Sequence, residues 1–328
     1  MKHHFGDFLD RTGDYWKMTP NRDRYQLMMH NFSNFDSSIT AISISENHSN
    51  WKEIFNLQNL EELTIHEGTK EQLHSISKLR NLKRLRVTHL RPKQIESIGE
   101  LENLEELVLE YVSGFSDLSP LIKLGKLKSC HFENLRKVTD FSPLSQVKNL
   151  KYLRIDGTLD WKQPIDNFEF LKDLKNLEVF SLGQVICKSN FPILLGLTEI
   201  KKLKKVKIPI NMFPSEEFAL LQTGIPEIEG TQWEPVAIWP NRFNKIDAED
   251  PRAKLTPEEF RKLNPRSRIR HDGTREVSDP NFEWFEFIGK KAGRIKCDSK
   301  IAKKRCDEFL TKYESMKEQA RKLIKEKS

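Results

Sequence analysis

Three acids recur at one interval: Glu110, Glu133 and Asp156 stand 23 residues apart. Arg86, His131 and Arg154 recur two positions before acids or threonine in the same series, and Glu106 and Tyr152 recur four before. Carboxylates beside guanidinium and imidazole groups can hold a partner of complementary charge, and a tyrosine among them can anchor it. The same residue types serve acid–base or metal chemistry when they converge, but the histidines show no HExxH or comparable spacing. GKKAGR (289–294) lacks the spacing of a phosphate loop and the Ser or Thr that would open the next helix. No G-x-S-x-G elbow and no cysteine nucleophile motif is present. The expectation is therefore recognition without catalysis and without a cofactor.

A fixed interval needs a repeating scaffold to make it useful. The cluster LENLEELVLE (101–110) steps by three at Leu101, Leu104 and Leu107, as a helix would, and then by two to Leu109, as a strand does. It recurs as LQNLEELTI (57–65), LRNLKRLRV (79–87), LGKLKSCHF (124–132), VKNLKYLRI (147–155), LKNLEVFSL (174–182) and IKKLKKVKI (200–208), with ITAISI (39–44) as a weaker first copy. Helices have no reason to reproduce a 3-3-2 spacing at such an interval, so the period of two wins at Leu107–Leu109. Leu104 turns inward, Leu107 and Leu109 point inward from a short strand, and Val112, Phe115, Leu118 and Leu121 line the return. Such a coil buries its apolar side only when neighbouring coils cover it, so the strands must stack in parallel.

These residues resemble the leucine-rich repeat family, whose core reads LxxLxL. SDLSPLIKL (116–124) and TDFSPLSQV (139–147) are similar to the DxSPL turn of the 22-residue internalin-type repeats of bacteria. The resemblance implies an α/β solenoid, a right-handed superhelix with a parallel concave β-sheet, that binds a protein rather than catalysing. The Asn that often follows the strand in this family is replaced by Gly68, Leu90, Val112, Leu135, Thr158 and Val185.

Alternation turns one set of side chains toward the hollow. One column reads Ser43, Thr64, Arg86, Val108, His131, Arg154, Ser181 and Lys207. The next holds Ser45, His66, Thr88, Glu110, Glu133, Asp156, Gly183 and Pro209, and a third Glu62, Arg84, Glu106, Ser129, Tyr152, Val179 and Lys205. With strands about 4.8 Å apart, Glu110, Glu133 and Asp156 form an acidic stripe roughly 10 Å long. The candidate partner-binding residues are thus Arg86, Glu106, Glu110, His131, Glu133, Tyr152, Arg154 and Asp156, all expected to be solvated. On that expectation Glu133→Lys with Arg154→Glu removes binding and leaves the melting temperature almost unchanged.

Three parts are expected: an aromatic-rich N-terminal cap over 1–38, about eight coils over 39–230, and a small α+β appendage over 231–328. The last segment departs from the repeat in composition. Residues 241–328 hold 24 Lys and Arg against 16 Asp and Glu, whereas the remainder holds 31 against 32. TPEEF (256–260) reads as a helix start, NFEWFEFI and RIKC flanking GKKAG as a hairpin. Ala302, Cys306, Phe309, Tyr313, Met316, Ala320 and Leu323 form an amphipathic stripe that docks on the hairpin or pairs with another chain. The basic excess leaves RNA or DNA as the alternative partner. Four thiols without a CxxC pair, no membrane-length apolar run and no secretory start lead to an expected cytoplasmic monomer.

Overall fold

The computed structural model describes residues 38–327, so the expected N-terminal cap over 1–38 lies, apart from Ser38, outside the described residues. Each repeat copy forms one strand: β1 (Ala41–Ile44), β2 (Glu62–His66), β3 (Arg84–Thr88), β4 (Glu106–Glu110), β5 (Ser129–Glu133), β6 (Tyr152–Asp156), β8 (Val179–Leu182) and β10 (Lys205–Lys207). They make an eight-stranded sheet in that order, parallel at every pairing. Two shorter strands in the return segments, β7 (Gln163–Ile165) and β9 (Val185–Cys187), pair with each other. These coils stack as a solenoid of leucine-rich-repeat pattern.

The coil around β4 shows why. Leu101, Leu104, Leu107, Leu109, Val112, Phe115, Leu118 and Leu121 are each at most 2% exposed. Full burial is worth roughly 1.5–3 kcal/mol for each such side chain. Leu107 stands in register with Leu85 on one side and Cys130 on the other. The returns run through α1 (Lys70–Ser75), α2 (Glu96–Gly99) and then through single 3₁₀ turns. In the turns over Ser119–Lys123 and Ser142–Gln146, proline stands in the first turn. Asp117 and Asp140 accept hydrogen bonds from the Ser119 and Ser142 amides at 2.7 and 2.8 Å, fixing the entry to each turn.

The asparagines missing after the strands have counterparts before them. Asn81, Asn103, Asn149 and Asn176 each donate a side-chain hydrogen bond to a carbonyl of the preceding coil, at Gln58, Arg80, Gly125 and Lys148. The repeated Asn-Leu dipeptide is the visible mark of this ladder. After the strands, backbone bonds carry the pairing one residue further, as from the His89 amide to the Glu110 carbonyl and from Tyr111 to Glu133. Buried Gln163 bonds the Leu135 amide and the Leu135 and Val138 carbonyls, taking the role of a ladder side chain there.

Two compact units divide the described chain: residues 38–212 with 225–232, and residues 213–224 with 233–327. The boundary expected at 230 lies two residues before the division at 232/233, and residues 213–224 group with the second unit. α3 (Ser215–Gly224) interrupts the last coil and belongs to the second unit, where it packs along residues 302–327; its Phe218, Ala219, Leu220 and Leu221 are buried. The Tyr313 hydroxyl bonds Gln222 at 3.0 Å, and Phe218 meets Trp233 edge-on at 5.0 Å. The chain then returns to the first unit, where Glu229 bonds backbone groups of Lys204 and Val206 as the final weak coil.

The second unit has two three-stranded antiparallel sheets: β11 (Val236–Pro240), β15 (Glu283–Phe287) and β16 (Arg294–Lys296), and β12 (Phe243–Lys245), β14 (Arg275–Ser278) and β13 (Ser267–Ile269). β15 and β16 are the hairpin the sequence announces. α4 (Pro257–Leu263) starts at Thr256 with a reciprocal capping box to Glu259. α5 (Ala302–Lys327) buries Ala302, Tyr313, Met316 and Ala320, and it packs on α3 as well as on β11, β15 and β16. Among the described residues no helix is long and apolar enough to cross a membrane.

Candidate functional site

The strand register places the concave residues in the expected columns. Arg86, Val108, His131, Arg154 and Ser181 are successive partners across β3–β8, and Thr88, Glu110, Glu133 and Asp156 form the neighbouring column. Arg84, Glu106, Ser129, Tyr152 and Val179 make the third. The side that faces the hollow follows from the strand period alone.

Six of the eight candidates form one network. Arg86 reaches diagonally to Glu110, with Nε 3.0 Å from Oε2 and a second, shorter contact through Nη2. Arg154 pairs with Asp156 on its own strand and donates to Ser181 at 3.3 Å. His131 lies between two acids, its Nδ1 3.9 Å from Glu110 and its Nε2 3.7 Å from Glu133. The Asp156 carboxylate also accepts from the Gln184 amide at 2.6 Å, and it fills the space where a Cβ on Gly183 would stand. Glycine in this column is therefore what admits the acid of the adjacent strand.

Glu106 and Tyr152 belong to the third column. Arg84 Nε lies 3.2 Å from Glu106, whose second oxygen has no hydrogen-bond partner. Burial pushes this carboxyl up to about 8, against the lowering effect of Arg84. Burial, with the charges of Glu110 and Asp156 adding to it, pushes Glu133 up to about 7. Tyr111 hydrogen-bonds Glu133, and burial together with that carboxylate raises the phenol above its ordinary range.

Exposure departs from expectation. Arg86, Glu106, Glu110, His131, Arg154 and Asp156 are buried, none more than 9% exposed, while Glu133 and Tyr152 are half-buried. Alternation chooses the face a side chain takes, but not how deeply that face is covered. With Arg154 only 7% exposed, reversing its charge is expected to cost stability rather than to leave the melting temperature unchanged.

Beside the network runs an aromatic ridge that extends one residue past the alternating columns. His89 and Tyr111 stack at 4.8 Å with an interplanar angle of 7°, and His66 meets His89 edge-on at 5.6 Å. Tyr111 is 38% exposed and His89 is exposed. Glu67, His89, Tyr111 and Asn134 each follow a strand with φ between 48° and 57°, a left-handed turn repeated in four successive coils. The signal was the residue one place past each strand, outside the alternating stretch.

Glu110, His131 and Glu133 each offer a ligand atom within 4.8 Å of the others, the reach of a metal ion. Arg86 already neutralises Glu110, and the two imidazole nitrogens address different carboxylates. As arranged, Glu110 is held by Arg86 and Glu133 by Tyr111, with the His131 imidazole packed between the two carboxylates.

No family model matches the sequence, and none of the curated proteins does. Among solved structures the chain is similar to internalin F of Listeria monocytogenes, with 23% identity over 56% of this chain and 58% of that one and a TM-score of 0.38. It is also similar to internalin C2 of the same species, with 22% identity, 53% and 69% coverage and a TM-score of 0.38. A leucine-rich repeat protein of Leptospira interrogans matches at 18% identity, 58% and 54% coverage and a TM-score of 0.39. The chain spans less than two thirds of internalin F and of the Leptospira protein.

Proposed function

We propose that the chain is a non-enzymatic recognition module whose repeat unit binds a protein through the concave sheet and its bordering ridge. One observation carries the proposal: the stacked His89–Tyr111 pair stands exposed beside the half-buried Glu133, which Tyr111 hydrogen-bonds. Stacked rings lose little conformational freedom on binding, which suits an anchor. The buried pairs Arg86–Glu110 and Arg154–Asp156 hold the floor in place, while Glu133 and Tyr152 offer charge and ring edge to a partner.

Photo-crosslinking tests this. Benzoylphenylalanine replaces Tyr111 in one variant and Ile122, exposed on a return turn, in another. In extract of the source cells, the Tyr111 variant is expected to capture one protein, competed away by excess unmodified chain. The Ile122 variant is expected not to capture it. Equal capture at both positions, or none at Tyr111, overturns the proposal.

A further inference from the structure

The sheet β11–β15–β16 has two unlike faces. Its pairing places Ile238, Phe285 and Ile295 in one cross-strand row. The side of this row also carries Phe287, whose ring lies 4.8 Å from Phe309 of α5. That is the face the terminal helix covers. The opposite face holds the rows Trp239–Trp284–Lys296 and Ala237–Glu286–Arg294.

Rings and cations alternate on this second face. Arg294 sits over the Trp284 ring at 4.8 Å and Lys296 at 6.0 Å, both cations exposed. Trp239 is 57% exposed. Past the strand end, the Asn241 amide still bonds the Phe282 carbonyl at 2.9 Å. There Phe282 is 41% exposed beneath Arg242 at 5.0 Å, and Arg242 also lies 3.8 Å from Asp279. Glu286 is the single acid in the two rows. Residues 241–328 as a whole carry an excess of eight positive charges.

We infer that this face binds single-stranded nucleic acid. Unpaired bases stack on the open faces of Trp239 and Phe282, and phosphates pair with Arg294, Lys296 and Arg242. A cation laid flat on a ring still turns its N–H groups outward to phosphate oxygens. Rings presented from a sheet need bases already free of a duplex, so the platform selects single strands. This reading does not depend on the concave face of the repeat unit.

The test uses the full chain with fluorescein-labelled oligothymidylate, oligouridylate and a mixed-sequence duplex, read by anisotropy and by quenching of tryptophan emission. Single strands are expected to bind at low salt with quenching, and to bind more tightly than the duplex. Trp239→Ala is expected to weaken single-strand binding roughly 5- to 150-fold. Its exposed position should leave the melting temperature at the wild-type value, and Trp239→Phe should restore most of the affinity. Arg294→Glu with Lys296→Glu is expected to lower the slope of log affinity against log salt by about 1.4, from two lost phosphate contacts. Absence of binding at low salt, equal affinity for duplex, or unchanged binding by Trp239→Ala overturns the inference.

Discussion

The two units are built on different neighbourhoods. In the repeat unit a side chain's surroundings are set one coil away, as Leu107 is set by Leu85 and Cys130. In the second unit they are set by distant segments, as Tyr313 is by Gln222 across 91 residues. The consequence shows in burial. Every residue of β4 is buried, whereas β15, the best covered strand of the second unit, buries only its two ends. There the framework leans on cations over rings, Arg268 on Phe243 at 4.3 Å and Arg275 on Phe260 at 5.2 Å, and on Arg268 and Arg270 paired with Glu276. The stacked repeat buries both partners of its ion pairs, whereas in the second unit half-exposed arginines lie over a buried Glu276.

Charge reversal breaks that comparison most sharply. Arg154→Glu puts a third acid beside Asp156 and Glu133 inside the sheet, and a loss of about 3–5 kcal/mol is expected from breaking a buried pair. Arg268→Glu in the second unit should cost less, because Arg268 is half exposed and Arg270 still pairs with the buried Glu276. Chemical denaturation followed by circular dichroism compares the two, and equal losses would contradict the contrast.

Close approach gives a middle-sized effect. Gly183→Ala drives a methyl into the Asp156 carboxylate, which Arg154 and the Gln184 amide hold in place. Gly289→Ala, at φ +118°, sets its Cβ 2.7 Å from the Ser215 nitrogen. Each should cost about 1–3 kcal/mol through overpacking or backbone strain. Hydrogen exchange is expected to report the first loss in β6 and β8 and the second around α3 and the hairpin.

A pH dependence follows from the raised carboxyls. A carboxyl with a raised folded pKa binds more protons folded than unfolded, so its contribution is present below the unfolded value near 4.5 and is lost as pH rises through the folded one. Glu106 and Glu133 should therefore make the chain progressively less stable as pH climbs from about 4.5 to about 8 and about 7 respectively. Glu106→Gln should gain in melting temperature relative to wild type across that window. A difference that stays flat, or reverses, would exclude the buried carboxyl as its source.

Legibility followed the same division. The 3-3-2 spacing foretold all eight strands, including the weak copy at 39–44, because each coil reads its neighbour's pattern. The hairpin and the Thr256 cap were visible because both are local. The pairing of β11 with β15 was not, since nothing near residues 236–240 specifies a partner some 45 residues on. Nor was the membership of α3, whose apolar residues suit either unit by composition. In the candidate site, the identity of the columns was legible and their depth was not. The ridge at His89 and Tyr111 was not legible because these residues themselves take the left-handed φ that ends the alternation.

Register is the claim beneath all of this, and cross-strand thiol pairing measures it directly. With the four native cysteines replaced, Glu110→Cys with Glu133→Cys puts thiols on directly paired residues of adjacent parallel strands. Mild oxidation followed by peptide mass spectrometry is predicted to give a 110–133 disulfide in high yield. Glu110→Cys with Phe132→Cys, one residue off and facing the core, is predicted to give none. A bond in the second variant and not in the first would mean the strands are slipped by one residue and the concave columns do not exist.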